Sequence, residues 1–399
     1  MTMKRCIGIL AGCVLLLAPA SRAAAAEGIQ TGPVLLYPAV SVTATYDDNV
    51  YLESDNPESG WETSVAPSLR VVLPIQRFYL NAEGGLDFLN YDVESVTTTD
   101  WFAGAAVGAD FPGGLSFKIA DRHEVAYQTR TQEFGEGEDL VENNLTAAVS
   151  YAIRTLRIEV SGLRQALDYD ISADRDRVES SGSATLYWKF RPELSALLEG
   201  SYGVAAYDNA TEQDNSETAV ALGLTWDVTA KSTGFIKGGY EMKRYDTEDI
   251  TLGIEDGDYF TLSGGLRHSF TPRTVLAIDL SHGSEESDFP GNPYYLETAV
   301  GATLSQRLTP KLYGRAGVGY TSDAYPNATS YVNPYDESGR GVESGERTDN
   351  TIDASVALGF EMNRWLSFEV AYAGEWRASN FDTFDYGQNR VSLSAKAAF

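Results

Sequence analysis

The final stretch of the chain, residues 388–399, restricts what the rest can fold into. Val391, Leu393, Ala395, Ala397 and Phe399 alternate there with Ser392, Ser394, Lys396 and Ala398. A strand over these residues has one apolar and one mostly polar face. An apolar strand with a free edge invites aggregation, whereas one that pairs back to the first strand of a closed barrel exposes no edge. The last strand of a soluble β-sandwich carries the same alternation, so the remaining sequence has to decide.

Period-two segments recur over 36–46, 61–73, 77–91, 101–111, 115–127, 141–153, 156–169, 178–190, 193–207, 217–228, 234–245, 259–270, 273–281, 295–308, 311–320, 350–362, 365–381 and 388–399. That is about eighteen strands, give or take about two. Short connections such as Pro112-Gly113-Gly114, Arg154-Thr155 and Thr271-Pro272 alternate with longer, mostly acidic ones at 128–140, 247–257 and 321–348. Tight turns at one end and long loops at the other describe an all-β, transmembrane antiparallel β-barrel with an even strand number. After the amino-terminal segment no apolar run approaches the ~18 residues of a membrane helix, so a membrane crossing has to use strands.

That segment, residues 1–26, reads as a secretory signal: Lys4 and Arg5, an apolar run over 7–18, then Ala23-Ala24-Ala25-Ala26 before Glu27. Leu10-Ala11-Gly12-Cys13 also spells a lipoprotein cleavage box, but the apolar stretch before Cys13 is short for it. Both cysteines, Cys6 and Cys13, fall in this segment, so the barrel expected over 27–399 has no disulfide or thiolate chemistry. Cleavage after Ala26 removes Lys4, Arg5 and Arg22 and no acid, taking the formal charge from −27 to −30. Such a chain is a poor partner for nucleic acid and suits an exported protein with acidic loops facing surface sugars and cations.

Strands rising toward a long loop tend to end in Tyr-Asp or an equivalent: Tyr46-Asp47, Tyr91-Asp92, Tyr169-Asp170, Tyr207-Asp208, Tyr245-Asp246 and Phe381-Asp382. The expectation is an aromatic girdle at the headgroups, with Trp188, Trp226, Phe270 and Trp365 forming the opposite one. Leu194, Leu198 and Tyr202, or Leu366, Phe368 and Val370, mark the lipid face; Glu199 and Glu369 lie on the alternate positions. A charge at the bilayer midplane costs about 2–4 kcal/mol for Arg or Lys, so charges belong inside. The pore-lining candidates are Arg70, Lys118, Arg122, Lys237, Glu241, Lys243, Arg267, Arg315, Glu369 and Arg377. Tyr79, Tyr187 and Tyr313 share that face, as lumen packing or as platforms for sugar rings. The alternation loses its phase near Asp121 and His123 and again at 162–164, where a bulge is expected to shift the register.

Chemical motifs are weak. The adjacent pairs Ser281-His282 and His268-Ser269 point to opposite faces of a strand, so neither forms a nucleophile–base couple. The acidic clusters Asp47-Asp48, 133–139 and Glu285-Glu286-Ser287-Asp288 lack calcium-loop spacing. No cofactor and no metal site is expected.

The first strand and its loop, Val40-Ser41-Val42-Thr43-Ala44-Thr45-Tyr46-Asp47-Asp48-Asn49-Val50-Tyr51, together with the Tyr-Asp repeat and terminal Phe399, resemble the putative β-barrel porin 2 family. The resemblance implies an outer-membrane conduit associated with exopolysaccharide export. It implies lipid, lipopolysaccharide, the barrel assembly machinery acting on the strand ending in Phe399, and periplasmic polysaccharide-export components as partners. The residues themselves imply a barrel with a polar interior. A non-conducting structural or surface-binding barrel is the alternative, and a barrel-wall hydrolase a more remote one. The loop at 321–348 is expected to fold inward and set selectivity.

Overall fold

The computed structural model describes residues 28–93, 95–131, 136–229, 231–246, 254–289, 291–331 and 343–399; the signal assigned to 1–26 lies outside them. The strands are β1 Ile29–Thr31, β2 Val34–Asp47, β3 Gly60–Ile75, β4 Phe78–Tyr91, β5 Val96–Asp110, β6 Leu115–Gln128, β7 Glu138–Ile153, β8 Leu156–Tyr169, β9 Arg177–Arg191 and β10 Leu194–Tyr207. They continue with β11 Asn215–Thr229, β12 Ser232–Tyr245, β13 Gly257–Thr271, β14 Thr274–Glu286, β15 Tyr294–Arg307, β16 Leu312–Tyr331, β17 Glu343–Glu361, β18 Leu366–Ser379 and β19 Tyr386–Ala398. β1 folds back on the start of β2, and β2 to β19 pair in sequence order, each antiparallel to the next. β19 then pairs with β2, closing an eighteen-stranded barrel.

The seam explains why the chain ends in an alternating strand. Ala398 lies opposite Ala39, and the Phe399 amide donates to the Pro38 carbonyl at 3.0 Å. At the other end of the seam the Asp47-Asp48-Asn49 motif fastens β2 to β19. The Asn389 amide donates to Asp48 Oδ1 at 2.6 Å, and Gln388 Nε2 to Asp47 Oδ2 at 2.8 Å. Buried Asn49 donates from Nδ2 to the Gly387 carbonyl at 3.0 Å and to the Glu53 carbonyl at 2.9 Å. The acids of this motif are therefore structural clasps.

Turns and loops alternate as expected. Two-residue turns put Gln76 and Arg154 at φ of 49° and 51°. In the β5–β6 turn Gly114 takes φ +85°, and a Cβ there would stand 2.3 Å from the Ala152 carbonyl oxygen, so only glycine fits. Strand tilt is visible in the pairing. The row that begins at Phe78, beside a turn, passes through Phe117, Val160, Gly200 and Tyr240 and reaches Phe260, beside a loop. Tilt of this kind is what closes a sheet into a barrel.

The outer wall is apolar between two aromatic girdles. Trp188, Phe270 and Trp365 stand exposed at the turn end, where Trp365 stacks on Phe399 with ring centroids 6.0 Å apart. Trp61, Tyr202, Tyr240, Phe260 and Tyr320 are exposed toward the loop end. The tyrosines of the Tyr-Asp repeat do not belong to this girdle, apart from Tyr46, which packs on Trp61 at 5.4 Å. Tyr169, Tyr207, Tyr245 and Phe381 are buried. Strand phase accounts for it: Ile158 and Val160 face out, so Tyr169, an odd number of residues on, faces in.

The repeat instead closes the hairpins. The amides of Tyr169, Tyr207 and Tyr245 donate to Asp176, Asp214 and Asp256 across their loops at 2.7, 2.7 and 2.9 Å. The following aspartate extends the ladder: the Asp208 amide donates to the Asp176 carbonyl and the Asp246 amide to the Asp214 carbonyl, both at 3.0 Å. Asp176 thus ties its own hairpin and the next one. Its side chain lies outside the membrane band, where burial pushes its carboxyl above the usual range against the opposing Tyr169 donor.

Candidate functional site: the barrel interior

The segment expected to fold inward, 321–348, is mostly strand. β16 and β17 remain paired up to Tyr331 and Glu343, and residues 332–342 lie outside the described residues. A different element enters the lumen. β14 follows β13 only as far as Leu262 opposite His282, while β14 and β15 stay paired to Glu286 opposite Tyr294. The tip of the β14–β15 hairpin therefore leaves the wall and turns inward, freed from its neighbour on the β13 side.

Four anchors hold this tip. Lys243 on β12, fully buried, pairs with Glu217 on β11 at 2.6 Å and with Glu286 on the hairpin. Glu286 also accepts from the Tyr207 hydroxyl at 2.7 Å and Asn215 Nδ2 at 3.1 Å. Asp288 pairs with Arg175 at 3.0 Å and with Arg177 at 3.7 Å; those guanidiniums also meet Glu138 and Glu179. On the opposite side Phe289 packs among Tyr325, Tyr331, Phe381 and Phe384, with centroids 5.3 to 6.3 Å away. Arg347 lies over Phe384 at 3.6 Å and pairs with buried Asp349 at 2.6 Å. Asn292 and Asn327 add a reciprocal pair, 2.8 Å from the Asn327 amide to Asn292 Oδ1 and 3.1 Å from Asn292 Nδ2 to the Asn327 carbonyl. The hairpin spans the interior from the β9–β12 wall to the β16–β19 wall.

The ten sequence-derived candidates divide accordingly. Lys237 pairs with Glu199 at 2.7 Å, Glu241 accepts from Ser284 and Lys243 holds Glu286, all buried. Arg377 sits over Tyr386 at 4.6 Å and pairs with Asp349 at 3.6 Å. These four belong to packed networks. Arg70 and Lys118 are exposed on inward register positions of β3 and β6. Arg122 pairs with Glu83 and Glu124, both at 3.0 Å, with its side chain 38% exposed. Arg315 pairs with Glu369 at 2.9 Å and is 47% exposed. Arg267 is half-buried opposite Thr233 and Ala277. The interior is thus filled along β9–β12 and open to water along β3–β6 and at Arg315.

The inner tyrosines are used by the wall. Tyr79 lies over Gly108 and Tyr313 over Gly359, so close that a Cβ at either glycine would fall 2.4 or 2.0 Å from the ring. Tyr313 also donates to Glu369 at 3.0 Å, and Arg157 covers Tyr187 at 3.9 Å. The histidines stand on outward positions: His282 Nδ1 lies 2.8 Å from Thr298 Oγ1, and His268 packs edge-on to Phe270 at 4.6 Å. The inward hairpin is the feature the sequence reading missed; its faint signal is the four-residue run Glu285-Glu286-Ser287-Asp288 at a strand tip.

A closed eighteen-stranded barrel with an apolar belt, two aromatic girdles and a charged interior defines an outer-membrane β-barrel of the porin type. Residues 22–399 match the family described as "Putative beta-barrel porin 2", and the chain belongs to that family. It is thus a porin-like outer-membrane channel protein, located in the outer membrane. No curated protein matches it in sequence. Among solved structures it is similar to Pseudomonas aeruginosa OpdQ, at 13% identity over 93% of this chain and 100% of that one, with a TM-score of 0.50. It is also similar to Pseudomonas aeruginosa OpdK, solved with vanillate, at 13% identity over 91% and 99% and a TM-score of 0.49. A third is Acinetobacter baumannii OccAB4, at 11% identity over 91% and 98% and a TM-score of 0.48. Likeness at these identities concerns the fold.

Proposed function

We propose that the barrel is a passive, constricted channel for small hydrophilic solutes that favours cations over anions, its path running between the inward hairpin and the β3–β7 wall. The observation that carries this reading is the uneven hydration of the interior charges. Glu83, Glu124 and Arg122 are 38 to 47% exposed, whereas the side chains of the Lys243–Glu217, Lys237–Glu199 and Arg177–Glu179 pairs are at most 10% exposed. On the hydrated wall Glu62, Glu83, Asp87, Asp100, Glu124 and Glu142 outnumber Arg70, Lys118 and Arg122 on inward positions. A lining of one dominant sign in a narrow, low-dielectric passage concentrates the opposite ion.

Export of an exopolysaccharide, with periplasmic components as partners, is the finer reading that the family resemblance suggests. It requires the hairpin to swing aside, because the hairpin is anchored to both walls and lies across the interior. Residues 1–26 serve as the export signal in this reading, and the terminal strand as the contact for barrel assembly.

Planar-bilayer recording of the folded protein tests both. Stable steps, with a reversal potential in a salt gradient showing cation preference, support the channel. Steps blocked by neutral oligosaccharide point to saccharide passage. A folded barrel that gives no steps refutes passive conduction and leaves a plugged, surface-binding barrel.

A further inference from the structure

The outer wall carries an unneutralised pair of charges where lipid is expected. Pairing runs through β6, β7 and β8 without a register break, so the phase that turns Ile119 and Val160 outward turns Asp121 and Arg164 outward as well. Both are exposed. The row of paired residues through them starts at Leu36, at the turn end of β2, and ends at Arg244, at the loop end of β12. β6 and β8 are its fifth and seventh strands of eleven, which sets Asp121 inside the apolar belt and Arg164 toward its loop-end edge, level with Tyr202 two strands on. Asn143 donates to Asp121 at 3.2 Å; Arg164 makes no ion pair among the described residues. Among the described residues, the other outward positions between the girdles hold no Asp, Glu, Lys or Arg.

We propose that this face, β6–β8, is the contact between two copies of the barrel related by a two-fold axis along the membrane normal, with Asp121 paired to the partner's Arg164. The complementarity is built into the register. Asp121 and Arg164 lie in one row with Leu145 between them, about 10 Å apart at two strand spacings. A two-fold axis through Leu145 exchanges left and right and keeps height, so each Asp121 comes opposite the partner's Arg164. The tilt of the row raises Arg164 by about 6 Å over Asp121, a gap an extended arginine spans. Small outward residues beside them, Ala105, Ala147 and Gly162, let two walls approach closely. An anionic lipid headgroup satisfies Arg164 and repels Asp121, whereas a second copy satisfies both.

Oxidative cross-linking in outer membranes tests the contact. Leu145→Cys sits on the proposed axis, and Leu222→Cys, exposed on β11, is the control on another face; the parent chain holds only Cys6 and Cys13. The expected result is a disulfide-linked dimer from Leu145→Cys, and none from Leu222→Cys or the parent. Adding Asp121→Arg should cut the dimer yield about tenfold, and adding Arg164→Asp to that chain should restore it. Heat-shifted gel mobility shows that each variant is a folded barrel. Absence of the Leu145→Cys dimer from a folded barrel overturns the proposal, as does a yield that ignores the charge reversal. A monomer that retains lipopolysaccharide through Arg164 overturns it too.

Discussion

Replacing Lys243 with methionine should release the inward hairpin. The ammonium is fully buried and bridges Glu217 on the wall to Glu286 on the hairpin. Breaking a buried pair from one side costs about 3–5 kcal/mol, because the partner charges stay buried without compensation. Glu286 keeps the Tyr207 hydroxyl and Asn215 amide as donors, which places the loss near the lower figure. About 3 kcal/mol corresponds to roughly a hundredfold increase in the detached population. Hydrogen exchange of the Ser287 amide, bonded within the tip to the Pro293 carbonyl at 3.0 Å, rises as the detached tip loses its wall contacts and frays. The variant should lose about a hundredfold in protection there and show larger or more frequent conducting steps. Glu286→Met in the same chain should recover much of the loss by removing the stranded carboxylate. Exchange and conductance both unchanged in Lys243→Met would refute the idea that this ion pair latches the hairpin.

Three further outcomes follow from single contacts. Asp214→Ala removes the acceptor 2.7 Å from the Tyr207 amide and should cost about 1–2 kcal/mol, seen as roughly tenfold faster exchange of that amide with barrel assembly intact. Asn49→Ala deprives the Gly387 and Glu53 carbonyls of a buried donor at the seam and should lower the temperature of the heat-induced gel shift, at a cost of about 1–3 kcal/mol. Arg315→Gln should change stability by less than about 1 kcal/mol, since the pair with Glu369 is half-exposed, yet move the reversal potential toward stronger cation preference.

The wall was legible because one rule governs it: each strand offers lipid one face, and period two carries that face along the strand. Val391, Leu393 and Phe399, or Leu198 and Tyr202, reveal it without any knowledge of neighbours. Two misreadings came from letting residue type overrule phase. Tyr207 is an odd number of residues from Tyr202, so its inward position was written in the sequence, but tyrosine beside aspartate suggested a headgroup site. Asp121 follows Leu115, Phe117 and Ile119 in phase, so its outward position needs no bulge, and the ladder has none there. The inward hairpin was hidden for a different reason. Segments 274–286 and 294–307 alternate normally to their ends, and the departure of β14 from β13 after His282 is a fact about the neighbour, which no single strand records.

The two sides of the hairpin are held by different physics, and salt should separate them. Toward β9 and β12 the anchors are charges, and a desolvated ion pair repays little more than the hydration it gives up, so detachment into a water-filled lumen is inexpensive compared with losing an apolar contact. Toward β16–β19 the anchor is Phe289 among aromatic rings, whose exposure to water has no such compensation. The charged side should therefore open first, with the aromatic side as the hinge. Raising ionic strength screens the partly exposed Asp288 pairs with Arg175 and Arg177 and should increase exchange at Ser287 while leaving the Phe289 contacts in place. Phe289→Ala should reverse the order, loosening the β16–β19 side at any salt concentration. If high salt protects Ser287, or frees both sides together, the hairpin moves as a rigid plug and the hinge is disproved.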